Sequence, residues 1–109
     1  MINVNGKDIE TDAQGYLANL DDWSEDVANF LSSQDQLALE ERHWQVINWI
    51  RDYYAETGTA PNLRLITKLL PNDLGEEYGD KKYLFDLFPY GPAKQACRYA
   101  GMPKPTGCV

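Results

Sequence analysis

The run from Glu40 to Glu56, EERHWQVINWIRDYYAE, constrains the fold more than any other stretch of this chain. Trp44, Ile47, Ile50 and Tyr54 recur at helical spacing and mark one face, which Val46, Trp49 and Tyr53 widen, and Gly58 stops the run. A face that broad needs more than one neighbour. The spacing therefore predicts a long central helix touched from several sides. With 109 residues, including three Trp, seven Tyr and three Phe, the chain is expected to build one core and not two.

The neighbours are short elements punctuated by Pro and Gly. Ile2, Val4 and Ile9 flank Asn5-Gly6, a pair that tolerates positive φ and predicts a small N-terminal β-hairpin. Asp21-Asp22-Trp23-Ser24-Glu25 places acids where a helix begins, and Trp23, Val27, Phe30 and Leu31 carry that helix to about Ser32-Ser33. Leu63, Ile66, Leu69 and Leu70 form a second stripe that Pro71 is expected to end, followed by a polar loop over 71–80. Tyr83, Leu84, Leu87 and Phe88 mark another short helix before Pro89. Pro92 sits at the first position of a final helix that carries Ala93, Ala96 and Ala100 and ends at Gly101. Tyr90 and Tyr99 are expected to pack this helix onto the body. The remainder, MPKPTGCV, has two prolines and a glycine and predicts a non-helical arm. The chain thus divides into a single helical domain over 1–101 and a mobile arm over 102–109.

Charge and thiols narrow the function. The formal net charge of -7 disfavours a protein that neutralises phosphates. Residues 1–60 hold 12 acidic and 3 basic side chains, whereas from Gly91 onward there are only the bases Lys94, Arg98 and Lys104. Both cysteines, Cys97 and Cys108, fall in that cationic stretch. Two thiols and the distant His43 make a poor metal ligand set, and no cofactor motif is present. No apolar run is long enough to span a membrane, and the first residues do not read as a signal peptide, so a soluble, cytoplasmic protein is expected. Cys97, among alanines, reads either as a small buried residue or as a thiol that Lys94 and Arg98 would activate if its sulfur reached the surface. Cys108, next to last on a Pro/Gly arm, reads as an exposed thiol that can enter a partner's pocket, accept sulfur and withdraw. A second thiol within reach can displace that sulfur and close a disulfide. His43 reads as a packing or hydrogen-bonding residue rather than a catalytic base.

At these residues the chain resembles a known family. The segment PYGPAKQACRYAGMPKPTGCV, together with RHWQVINWIRDYY, TAPNLRLITKLL, KYLFDLFP and NGKDIETDAQGYL, is similar to the DsrC/TusE/RspA family, whose members include the gamma subunit of dissimilatory sulfite reductase. The resemblance implies a mostly α fold: a compact orthogonal helical bundle, winged-helix-like, with a small N-terminal hairpin and a flexible C-terminal arm. It also implies that Cys108 is the sulfur-carrying residue. A second cysteine at the place of Cys97 marks DsrC proper, while TusE proteins typically have only the penultimate one. The implied function is a sulfur carrier of dissimilatory sulfur metabolism, loaded on Cys108 and bridged to Cys97 as a trisulfide or disulfide. Its implied partners are the dissimilatory sulfite reductase DsrAB, sulfur-transfer proteins of the DsrEFH/TusBCD and TusA types, and the membrane complex DsrMKJOP through its DsrK subunit. It would be a co-substrate protein, monomeric when free, and not an autonomous enzyme.

Three features depart from the family pattern. The 71–80 loop is short, as in TusE and sulfur-oxidiser proteins. Leu39-Glu40 replaces the usual Ser/Thr before the central helix, so a cap is missing there. Asp80-Lys81-Lys82 is more charged than usual. The alternative function is a TusE-like relay for tRNA 2-thiouridine synthesis with Cys97 as a spectator. A third reading, a redox-switched winged-helix DNA binder, would use Asn62–Leu70 as recognition helix, where only Arg64 and Lys68 offer positive charge.

Overall fold

Asn5 and Gly6 both adopt positive φ, 54° and 82°, and so close a two-residue turn whose twist matches that of the flanking strands. The turn joins β1 (Ile2–Val4) to antiparallel β2 (Lys7–Ile9), with Ile2 opposite Ile9 and Val4 opposite Lys7. This register puts Val4 and Ile9 on the inner face, where both are buried. The computed structural model describes residues 1–105; the mobile tip expected at the end of the arm, with Cys108, lies outside the described residues.

Among the described residues the architecture is mostly helical: α1 (Glu25–Gln34), α2 (Glu41–Thr57), α3 (Leu63–Leu74), α4 (Lys81–Leu87) and α5 (Pro92–Tyr99), with short 3-10 turns at Leu20–Asp22 and Glu76–Gly79. The first helix starts later than the acidic run suggests. Asp21 and Asp22 belong to the 3-10 turn, and the Ser24 hydroxyl accepts from the Val27 N–H at 3.2 Å to cap α1.

In α2 the buried face is His43, Val46, Ile47 and Ile50, with Trp44, Trp49, Tyr53 and Tyr54 half-buried at its margins. The apolar stripe is thus rotated toward His43, which the sequence pattern had placed only at its beginning. His43 also forms a capping box with Glu40 at the start of the helix, where the sequence had suggested that a cap is missing. Its Nδ1 accepts the Glu40 N–H at 3.0 Å, and its Nε2 lies 2.8 Å from the Leu87 carbonyl. Both bonds are satisfied together when the imidazole is neutral with its proton on Nε2.

Helix α3 does not stop at Pro71. It continues to Leu74 and carries the proline inside; the ring supplies no N–H to the Thr67 carbonyl, and Gly79 packs against both that carbonyl and the ring. A Cβ on Gly79 would lie 2.8 Å from Pro71 Cγ, so only glycine fits there. The segment expected as an open loop is therefore the last turn of α3 plus a 3-10 turn that buries Tyr78. Tyr99 is fully buried as expected, but Tyr90 is 69% exposed. Tyr90 follows Pro89 in the turn between α4 and α5, which directs its ring outward and away from the core.

Burial lowers the His43 pKa below its ordinary 6.5, so the unfolded chain binds that proton more readily than the folded one. The stabilisation from neutral His43 is complete above about pH 6.5 and is lost as pH falls below it. Urea midpoints measured between pH 8 and 5 are expected to fall for the native chain, and His43→Gln is expected to flatten the part of that decline that sets in below about pH 6.5.

Candidate functional site

Helix α5 carries the chemistry, and its burial is nearly complete: Ala93, Ala96, Cys97, Tyr99 and Ala100 are all 0% exposed. Its C-terminus is closed by a Schellman motif. The Met102 N–H donates to the Cys97 carbonyl at 2.9 Å and the Gly101 N–H to the Arg98 carbonyl at 3.1 Å, with Gly101 left-handed at φ 73°. The next two carbonyls are taken by side chains. Trp23 Nε1 donates to the Tyr99 carbonyl at 2.7 Å, and Arg51 Nη1 donates to the Ala100 carbonyl at 2.8 Å. The Arg51 guanidinium also stacks on the Trp23 ring at 3.8 Å. Every carbonyl from Cys97 to Ala100 is therefore satisfied, and Met102, at the root of the expected arm, is buried at 4% exposure.

The Cys97 thiol points inward. Its sulfur donates weakly to the Pro61 carbonyl at 3.7 Å, and burial pushes its pKa up to about 12. Lys94 and Arg98 do not activate it, since they project from α5 toward a groove on another side. Of the two readings of Cys97, the described structure holds the buried neutral thiol.

The groove brings Lys94, Arg98 and Lys104 together, with a volume of about 260 Å³. Tyr16, Tyr90 and Gln95 complete most of its wall. Its floor is a connected set of hydrogen bonds. The Tyr90 N–H donates to Gln95 Oε1 at 2.8 Å, Gln95 Nε2 donates to the Tyr99 hydroxyl at 2.7 Å, and that hydroxyl donates to Asp35. Burial and the adjacent Asp35 carboxylate push Tyr99 up to about 12, so it keeps its proton at neutral pH. Arg98 pairs with the same carboxylate. Gly15, at φ 91°, leaves room for this guanidinium, since a Cβ there would sit 3.1 Å from Arg98 Nη1. The two lysines form no ion pair among the described residues.

Sequence reasoning found the cationic triplet but missed Asp35, which pairs with Arg98, and the roles of Trp23 and Arg51, which close the end of α5. Arg51 had one visible signal, a charge between Ile50 and Tyr54 on the edge of an otherwise apolar face. Asp35 had none, because its partners lie more than sixty residues away. Among the described residues no cluster of three His, Cys, Asp or Glu side chains is placed to hold a metal, and no helix is long and apolar enough to cross a membrane.

Fold and site together define a small helical domain that keeps one thiol in its core and fixes the root of a thiol-bearing C-terminal segment. The chain belongs to the DsrC-like family, whose model, described as "DsrC like protein", matches residues 3–109. It is 49% identical to a sulfurtransferase TusE of Photorhabdus laumondii over 109 residues, covering 100% of this chain and 98% of that protein. The solution structure of DsrC from Allochromatium vinosum is similar with a TM-score of 0.90 and 56% identity, covering 99% of this chain and 96% of that one. The crystal structure of the oxidized gamma-subunit of the dissimilatory sulfite reductase (DsrC) from Archaeoglobus fulgidus has a TM-score of 0.84 and 39% identity, covering 98% and 97% of the two chains.

A thiol this buried and this weakly acidic should resist alkylation. With iodoacetamide at pH 7.5, Cys97 is expected to react more than about a hundredfold slower than a free cysteine, as read by peptide mapping, and to reach the free rate in urea. Gly101→Ala is expected to cost about 2 to 4 kcal/mol by urea unfolding, because a Cβ there would lie 2.4 Å from the Trp23 ring on a left-handed backbone.

Proposed function

We propose that this chain is a sulfur relay protein that takes up sulfur as a persulfide on Cys108 and passes it to a second protein. The observation that carries this reading is the state of the other thiol: Cys97 is fully buried and its pKa is pushed up to about 12, which supports assigning the working role to Cys108. The relatives named sulfurtransferase TusE support a sulfur-transfer role. In the loading step, the Cys108 thiolate attacks the outer sulfur of a donor persulfide. The donor's S–S bond breaks as the new one forms, the donor leaves as a thiolate, and no net oxidation occurs. Delivery is the same step with the roles exchanged. Donors of the TusA and DsrEFH/TusBCD types, a cytoplasmic location and an acceptor in tRNA 2-thiouridine synthesis complete this proposal.

A second reading rests on the presence of Cys97 itself, together with the likeness to DsrC of Allochromatium vinosum at 56% identity. Here both thiols act, and sulfur leaves dissimilatory sulfite reductase DsrAB as a trisulfide between Cys97 and Cys108, to be reset by DsrMKJOP. Mass spectrometry of the intact chain separates the two. After incubation with glutathione persulfide, a gain of one sulfur atom that Cys108→Ser abolishes and Cys97→Ala preserves is the expected result. A sulfur-bearing bridge that needs both cysteines, here or with sulfite reductase turning over sulfite, would favour the two-thiol carrier, and no gain in the native chain from either source would sink both.

A further inference from the structure

The groove beside the arm's root offers two lysines and an outward aromatic that the fold does not use. Tyr90 contributes its backbone N–H to Gln95, while its ring is 69% exposed. Arg98 is committed to Asp35, but Lys94 and Lys104 have no carboxylate partner among the described residues. A hydrogen-bonded floor with an exposed Tyr and two cations lining the same groove has the composition of an interface anchor rather than of a solvated face.

We propose that this groove is the docking surface for an acidic segment of the protein that donates sulfur to Cys108. The proposal rests on the relay reading above and names where its partner sits. Two arguments fix the occupant. The first is charge. On a chain of net charge -7 with 12 acids in its first 60 residues, an acidic partner is repelled by most of the surface and attracted here, so the groove sets its orientation as well as its place. The second is reach. Cys108 follows Lys104 by four residues, so the acceptor sulfur can be no more than about 14 Å of extended chain from the groove wall. A donor held in the groove therefore presents its persulfide within range of Cys108 without either protein unfolding.

The test is a titration of the full-length Cys108→Ser chain with a hexaglutamate peptide, followed by amide shifts in NMR spectra. It involves no thiol chemistry, so its outcome is independent of whether Cys108 loads sulfur. Shifts centred on Tyr90, Lys94 and Lys104 are expected. They should vanish in about 0.5 M salt, and Lys94→Glu with Lys104→Glu should weaken binding about fivefold or more. Hexalysine should leave these amides unmoved. Shifts centred elsewhere, or binding insensitive to the double charge reversal, would overturn the assignment. So would contacts between Val109 methyls and the Tyr90 ring in the free chain, which would show that the chain's own terminus fills the groove.

Discussion

Helix α5 receives α1, α2, α3 and α4 at once. That is sterically feasible because the face it turns to them is made of Ala93, Ala96, Cys97 and Ala100, all without exposure. Small side chains let helix axes approach closely and leave no slack, so a core of this kind tolerates neither an added methylene nor a lost one. Leu31, Ile47, Ile66 and Leu84, from the four surrounding helices, complete the same apolar cluster. Cys97 is thus a packing residue before it is anything else, and its chemistry is set by that place. Desolvation disfavours the thiolate, and the nearby cations cannot compensate because they project from another side of the helix.

The closure of α5 extends this constraint to the chain that follows. Four successive carbonyls find donors in two backbone N–H groups and in the side chains of Trp23 and Arg51. Trp23 lies between the 3-10 turn and α1, and Arg51 lies on α2. Elements distant in sequence therefore converge on the point where the C-terminal segment begins, and Met102 and Pro105 beyond it are still buried. A carrier thiol benefits from such a root, because a fixed exit confines the tip to a small volume and raises its effective concentration near a docked partner. The Asp35–Arg98 pair contributes on the other side, holding α5 to the end of α1 while removing one cation from the groove. What remains there for a partner is the charge of two lysines.

Much of this was legible in the sequence where the signal is local. Asn5-Gly6 specifies its turn by backbone freedom, and Pro92 with Gly101 brackets α5 by the demands of helix ends. Where tertiary contacts decide, local rules failed. Pro71 was read as a stop, but α3 runs on to Leu74 with Gly79 packed against the proline ring. Glu40 was read as an uncapped start, but His43 accepts its N–H because the other imidazole nitrogen is anchored to Leu87. Tyr90 was expected to pack α5 onto the body, but its ring is turned outward. The cationic groove was legible as composition and not as a place, since its members become neighbours only through the turn of α5 and the floor built by Asp35, Gln95 and Tyr99.

The two readings of the second thiol differ in what they ask of this core. A relay that works through Cys108 alone leaves α5 as it stands, and Cys97 serves only to fill its site. A bridge between the thiols requires the Cys97 sulfur to leave its contact with Pro61 and reach solvent, and the Schellman closure directly follows it. Releasing Met102 breaks its bond to the Cys97 carbonyl, and displacing Gly101 frees the neighbouring carbonyls from Trp23 and Arg51. At about 0.5 to 1.5 kcal/mol for each of three or four hydrogen bonds, the opening costs several kcal/mol. Spontaneous exposure on that scale is rare but within range of local unfolding. A partner that grips the segment after Gly101 could supply the difference. Bridging would then be conditional on a grip that opens the end of α5, while loading of Cys108 leaves that closure intact, and the packing of α5 makes that distinction without any change in the thiols themselves.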